Sequence, residues 1–288
     1  MRVLCLHGRG TSAAIFKSQT AAMRAKLDSS FVFEFVDGPF RCTPAPGIDT
    51  LFDSGTFAWW PQESVMGIRA AHLWLDEYMA AHGPYDALMG FSQGCILIGS
   101  YLTSWARDHP QQKPRPPPFR AAIFVCGGMA VSWMEELGLT VSPRARDIDQ
   151  RSVQSLHRKA GRLRELAANP DLIQRGVGLW DDTTDLVHSP GSLLPQGDHD
   201  VFGLDFASFP SVVFIQIPTV HIYGSKDPRL PSSVQLAHFC KIREMYDHGG
   251  GHDIPRSSSV SLHIAGMITR LADEIDKQKA QPVATTGT

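Results

Sequence analysis

The chain has 288 residues, 43% of them hydrophobic, and a formal net charge of −2. Near-neutral charge gives no electrostatic reason to expect nucleic acid or an anionic membrane surface as a partner, and no apolar run approaches the length of a membrane span. This length and composition suffice to bury a full core as one large domain or as two small ones.

In chain order, the first element is a short apolar run from Arg2 to Leu6 that stops at His7-Gly8. It predicts a buried strand followed by a loop. The opening MRVLCLHGRG is too soon interrupted to serve as a signal peptide. Residues 12 to 27 have helical spacing, with Ile15, Met23 and Leu27 on one face. Phe31 to Val36 reads as a second strand, closed by Asp37-Gly38-Pro39. Residues 41 to 61 read as a long loop that carries the pair Trp59-Trp60. Glu63 to His82 is a strong helix ended by Gly83-Pro84.

Tyr85 to Met89 is a third strand, and Gly94 to Trp105 an apolar helix. A proline-rich connection over 114 to 118 leads to a buried strand at Ala121 to Cys126. Residues 129 to 209 lack a clear period, apart from a polar helix over Arg151 to Ala168. They predict a lid or cap above the sheet. Ser211 to Ile217 and Thr219 to Tyr223 are both apolar, and the second is taken as the buried strand because it runs into Gly224-Ser225-Lys226-Asp227. Arg243 to Tyr246 is a weak last strand, and Val260 to Ile275 a closing helix. Strands that are continuous apolar runs, alternating with helices, indicate an α/β fold with a mostly parallel sheet covered on both faces. The domain is expected to span 1 to 276, with 277 to 288 a flexible polar tail.

There are five cysteines, an odd number. Cys5, Cys95 and Cys126 sit inside apolar runs, which suits buried free thiols and a reducing, cytoplasmic location. No cysteine pair or histidine set has zinc spacing, so neither a metal nor another cofactor is expected.

Chemistry enters at Gly90-Phe91-Ser92-Gln93-Gly94. A G-x-S-x-G pattern arises by chance on the order of 0.1 times in a chain of this length, so the surroundings must decide. Here it lies between an apolar strand and an apolar helix, the context of a nucleophile elbow. A nucleotide-binding turn would want G-x-G-x-x-G or a Lys-Ser/Thr pair, and neither is present. Small residues at 90 and 94 satisfy a tight turn. A serine hydroxyl needs a base. DHGGGHDIPR, after the last strand, offers His252 beyond the glycine turn, with His248 as the lesser candidate. The base needs a carboxylate, and Asp227 follows a buried strand, with Asp247 and Asp253 as competitors. The order Ser, Asp, His is that of an α/β-hydrolase. An oxyanion hole needs two N–H donors. Gln93 supplies one, and Arg9, in LHGRG after the first strand, the other. His7 reads as a structural hydrogen-bonding residue. Phe57, Trp59, Trp60, Met129 and Trp133 are candidates for an apolar substrate pocket and equally for the core.

These residues carry a resemblance. LCLHGRGTSAAIF, VDGP followed by PAPGI, HGPYDALMGFSQGC, AAIFVCGG, IPTVHIYGSKDP and YDHGGGHDIPR together resemble the fungal serine hydrolases of the FSH type, over most of the chain. Within that family the chain is most similar to members encoded beside fungal polyketide synthases. The resemblance implies an α/β-hydrolase fold, triad roles for Ser92, Asp227 and His252, and an acyl thioester or ester substrate. It also raises an acyl carrier domain of a polyketide synthase as partner. A cyclase using the same residues and a silent hydrolase-fold binding protein are the alternatives. The lid is expected to set acyl preference and not chemical competence.

Overall fold

The computed structural model describes residues 1–48, 55–109, 116–173 and 176–280. A six-stranded sheet in the order β2-β1-β5-β6-β7-β8 runs through it, parallel at every pairing. The strands are β1 (Arg2–Leu6), β2 (Val32–Val36), β5 (Ala87–Phe91), β6 (Ala121–Val125), β7 (Thr219–Tyr223) and β8 (Arg243–Asp247). Two further short strands, β3 (Phe40–Arg41) and β4 (Phe57–Ala58), pair antiparallel beside the main sheet. They occupy the stretch expected to be loop. The part of that stretch at 49–54, and residues 114–115 of the proline-rich connection, lie outside the described residues.

The central strands β5, β6 and β7 are buried at every position, whereas the edge strands β2 and β8 are only partly so. Continuous apolar runs are what a strand covered on both faces requires. Alternation sorts the side chains. Leu4, Leu6, Leu88, Ala122 and Phe124 point into one core. Val3, Cys5, Met89, Ile123, Val125 and Ile222 point into the other. Helices α3 (Val65–His82) and α4 (Gln93–Asp108) pack on the first face. On the second lie α1 (Ala13–Gln19), α2 (Ala21–Arg24) and α8 (Ser258–Ala280). This is the α/β-hydrolase fold.

Helix boundaries follow local chemistry. Ser12 caps α1 by accepting the Ile15 N–H at 3.2 Å, and Ser64 caps α3 by accepting that of Gly67 at 3.1 Å. The apolar Ser211–Val213 stretch is a short 3-10 turn, and β7 is the buried strand of the two. Two short helices were not legible. Helix α5 (Val131–Glu136) is a short turn within the aperiodic region. Helix α7 (Leu230–Phe239) is buried at all its positions, so its sequence has no amphipathic period.

Helix α6 (Pro143–Ala168) starts well before Arg151, with Ser142 as cap and Pro143 in its first turn. Helix α8 also corrects the expected tail: residues 277–280 continue it, and Lys279 reaches Asp86 at 2.9 Å. Lys, Gln and Ala are all good helix formers, so nothing at 277 stops the helix. Residues 281–288 lie outside the described residues. Among the described residues no helix is long and apolar enough to cross a membrane.

The registers bring the strand ends into line. Leu6 sits beside Val36 and Gly90, Phe91 beside Val125, and Tyr223 beside Asp247. The loops after β1, β5, β6, β7 and β8 therefore open along one edge. Between β1 and β5 the strand order reverses, which leaves a crevice at that edge.

Candidate active site

Ser92 lies at this crevice, on the junction of β5 and α4. Its backbone has φ 51° and ψ −111°, a conformation that costs a non-glycine residue about 1–3 kcal/mol. The junction holds it there: the Ser92 N–H donates to Val125 O at 3.1 Å, and Ser92 O accepts the Cys95 N–H at 2.9 Å. The flanking glycines are required by space. A Cβ at Gly90 would stand 2.7 Å from the Cys95 nitrogen. One at Gly94 would overlap the Leu6 carbonyl oxygen and stand 2.8 Å from its carbon. The sharp turn presents the side chain at the start of α4, where the helix dipole favours negative charge.

The loops after β7 and β8 bring Asp227 and His252 together. His252 Nδ1 lies 2.8 Å from Asp227 Oδ2, and Asp227 is fully buried. The second oxygen of that carboxylate, Oδ1, accepts the Arg229 N–H at 2.8 Å. The His252 ring stands 5.2 Å from that of Phe91, the residue before Ser92.

Of the competing candidates, His248 and Asp247 have other partners. His248 Nδ1 accepts the Gly250 N–H at 3.1 Å, and burial lowers its pKa. Asp247 Oδ1 accepts the Ser225 and Gly249 N–H groups at 2.8 Å each. Burial raises the pKa of Asp253.

The structure adds a neighbour that the sequence did not single out. Cys126, with φ 48°, ends β6 and faces this pair. Ligating atoms of Cys126, Asp227 and His252 lie within 4.8 Å of one another, the kind of set that can hold a soft cation. Burial first, then the charges of Asp227 and Asp253, push the Cys126 thiol well above its usual pKa. A neutral thiol is a poor ligand and a poor nucleophile. Asp227 and His252 already satisfy each other.

Arg9 and Gln93 flank the crevice from the ends of β1 and β5. Among the described residues no acceptor faces the backbone N–H of either. Their side chains converge: Arg9 Nη1 and Gln93 Nε2 both donate to Trp60 O, at 3.0 and 3.3 Å. Gln93 Oε1 accepts the Trp59 N–H at 3.0 Å. His7 is a strut. Its Nε2 accepts the Gly38 N–H at 2.9 Å, which leaves the Nδ1 proton to donate to Gly8 O at 2.7 Å.

Of the five pocket candidates, Trp59, Trp60, Met129 and Trp133 are buried in the main core. The Trp59 Nε1–H donates to His7 O at 2.8 Å, and the Trp133 Nε1–H to Thr103 Oγ1 at 3.1 Å, so both indoles are spent internally. Phe57 is half-buried on β4, with the Arg41 guanidinium 5.5 Å above its ring. In an apolar core a tryptophan contributes area and satisfies its N–H, which sequence cannot tell from a pocket wall.

An α/β-hydrolase fold with a strained serine at a strand-to-helix turn defines the class of the protein. Comparison with known proteins narrows it. The family described as Serine hydrolase (FSH1) matches residues 1–264, and the chain belongs to that family. It is 31% identical to Esterase FPY3 of Fusarium mangiferae over 261 residues, covering 89% of each chain. To Esterase alnB of Emericella nidulans it is 30% identical over 277 residues, covering 89% of this chain and 91% of that one. Among solved structures it is similar to Arabidopsis thaliana SOBER1, with TM-score 0.44 and 14% identity, over 94% of this chain and 99% of that one.

Proposed function

We propose that the protein cleaves acyl esters or thioesters through a Ser92–His252–Asp227 triad. The observation that carries this is the His252–Asp227 hydrogen bond of 2.8 Å at the strand edge that also bears the strained Ser92. The bond to Asp227 fixes the His252 tautomer with its proton on Nδ1, so Nε2 is the free base.

In this reading Nε2 takes the Ser92 proton as Oγ attacks the acyl carbonyl. The carbonyl oxygen becomes an oxyanion, held by the N–H groups of Arg9 and Gln93 at the start of α4. The intermediate collapses, the bond to the leaving oxygen or sulfur breaks, and His252 returns the proton to it. An acyl group now rests on Ser92. His252 then takes a proton from the acceptor, which attacks the acyl carbon, and Ser92 leaves with the proton back on Oγ. Water as acceptor gives an acid. A hydroxyl of the same acyl chain gives a lactone, the cyclase variant of the reading.

The curated relatives are named as esterases, which supports ester chemistry. The resemblance to hydrolases encoded beside polyketide synthases extends the reading to a polyketide acyl group, delivered as an ester or on an acyl carrier domain, in the cytoplasm. The lid over 129–209 bounds the acyl site.

A fluorophosphonate probe followed by intact mass tests the nucleophile, and a panel of acyl thioesters and esters tests the substrate. Labelling of the wild type but not of Ser92→Ala, with an acyl adduct on Ser92, is the expected result. A folded protein that takes up neither probe nor acyl group is a binding protein instead.

A further inference from the structure

His252 follows Gly249-Gly250-Gly251, a run with no side chains to hold it. Three consecutive glycines give the loop freedom that a positioned base must lose. On the base's own loop, Asp247 and His248 hold the first two glycines through the Gly249 and Gly250 N–H groups. Gly249 has φ +74°, and His252 is tied on its acid side by the bond to Asp227. Gly251, next to the base, is restrained from outside the loop: the Cys126 thiol meets its carbonyl at 3.8 Å, and the lid covers the place of its missing side chain.

The Trp180 indole lies directly on Gly251. A Cβ at Gly251 would overlap it, and the three atoms it would meet first are all indole carbons. Trp180 is itself held. The Asp181 N–H donates to Gly178 O at 3.1 Å, and Asp181 Oδ2 accepts the Gly178 N–H at 2.7 Å, which closes the turn that carries the indole. Asp181 Oδ1 pairs with Lys226 at 2.7 Å, on the loop that ends in Asp227. His188 Nε2 donates to Ser225 O at 2.9 Å on the same loop. The two catalytic loops are joined to each other by the Lys226 N–H, which donates to Gly250 O at 2.9 Å. Residues 178 to 188 thus clip onto the acid loop and press on the base loop.

We propose that Trp180 is a positioning residue for His252, so that this part of the lid belongs to the catalytic machinery and does more than select the acyl chain. The inference rests on His252 being the base. Gly251 is the complementary half. It bears no side chain because the indole occupies that place, and without the indole the triglycine loop lets the imidazole swing off the line between Asp227 and Ser92. A small ester such as p-nitrophenyl acetate needs no acyl pocket, so its turnover reads positioning apart from selectivity.

The test uses the full chain and p-nitrophenyl acetate, with circular dichroism and melting to show an intact fold. Trp180→Ala should lower kcat by about 10- to 100-fold and leave KM within about twofold, as expected for a base displaced by about 1 Å. Trp180→Phe should keep kcat within a few-fold. Gly251→Ala should be as damaging as Trp180→Ala. Combined with it, Gly251→Ala should add little, because both act through one contact. Wild-type kcat in Trp180→Ala, or losses that multiply in the double variant, overturns the proposal. If Trp180→Ala does not fold, Asp181→Asn, which loosens the turn at an exposed site, should still lower kcat with KM unchanged, and an unchanged kcat there overturns it equally. His252→Ala run in parallel separates the failures. Turnover by that variant removes the base assignment and this inference with it. An inactive His252→Ala beside an undiminished Trp180→Ala removes the positioning role alone.

Discussion

Gly94→Ala sets two physical effects against each other at the elbow. Gly94 lies in the first turn of α4, and alanine in place of glycine inside a helix is worth about 1 kcal/mol of added stability on propensity alone. Packing opposes it. The new Cβ would overlap the Leu6 carbonyl oxygen and lie 2.8 Å from its carbon and 3.1 Å from the His7 oxygen. Carbon atoms in contact prefer about 3.5–4 Å, so the start of α4 must retreat by about 1 Å. Leu6 cannot give way, because its strand is laddered between β2 and β5. Overpacking of this kind costs about 1–3 kcal/mol, so packing wins and the protein melts at lower temperature. The same retreat carries the Ser92 side chain and the Gln93 N–H with it. A shift of about 1 Å there lowers kcat by about 100-fold. Thermal unfolding and steady-state hydrolysis of p-nitrophenyl acetate read both effects. A Gly94→Ala protein with unchanged kcat and an equal or higher melting temperature would refute the elbow argument.

Three further outcomes follow from the same geometry. His252→Ala should lose kcat nearly as fully as Ser92→Ala, by roughly 10⁴-fold or more, while His248→Ala stays within about tenfold; the reverse ranking in steady-state assays assigns the base to His248. Asp227→Asn keeps the volume and the Arg229 N–H bond but offers His252 Nδ1 an amide, and kcat should fall by about 10⁴-fold with the melting temperature little changed; retained activity shows that another carboxylate serves. Burial first, and the Arg69 charge second, push His72 down to about 4 from its ordinary 6.5. Its unfolded form therefore takes up a proton first, and stability is full above pH 6.5 and lost as pH falls, by about 2 kcal/mol at pH 5. His72→Gln, which keeps a donor for Ser100, should flatten urea-measured stability between pH 7 and 5 by that amount, and an unchanged slope places the acid sensitivity elsewhere.

The central strands and the edge that bears the candidate site were legible because each central strand is an uninterrupted apolar run that ends in glycine or a polar residue. Leu6 to His7, Phe91 to Ser92, and Tyr223 to Gly224 are such ends, and in an open parallel sheet ligands gather outside them. Helix α7 was hidden for the opposite reason, since a helix buried on all sides has no periodic contrast with its surroundings. Helix α6 did carry a signal, serine followed by proline at its start, but its inner face bears Ser152, Ser155 and Lys159 where an apolar stripe is expected. Those groups are buried because Arg229, Asp185 and the Asp182 carbonyl meet them. Such partners lie far away in the chain, so no local pattern reveals them.

The pair Trp59-Trp60 shows how a role can be missed even when the residues are noticed. Both were candidates for an apolar substrate pocket and equally for the core. Their indoles are core, and it is the backbone on either side of the pair, the Trp59 N–H and the Trp60 carbonyl, that meets the site. The Trp60 carbonyl accepts from Arg9 and Gln93 together, and the Trp59 N–H donates to Gln93. In the proposed mechanism these are the two residues whose N–H groups hold the oxyanion. Donors for a developing charge act best when they are fixed before the charge forms. One carbonyl, following two buried tryptophans, accepts from both side chains and so ties the loop after β1 to the turn after β5. In that mechanism the two tryptophans, read from the sequence as pocket or core, would keep two backbone donors at a set separation. That role needs an atom common to all residues, so residue type gives no hint of it.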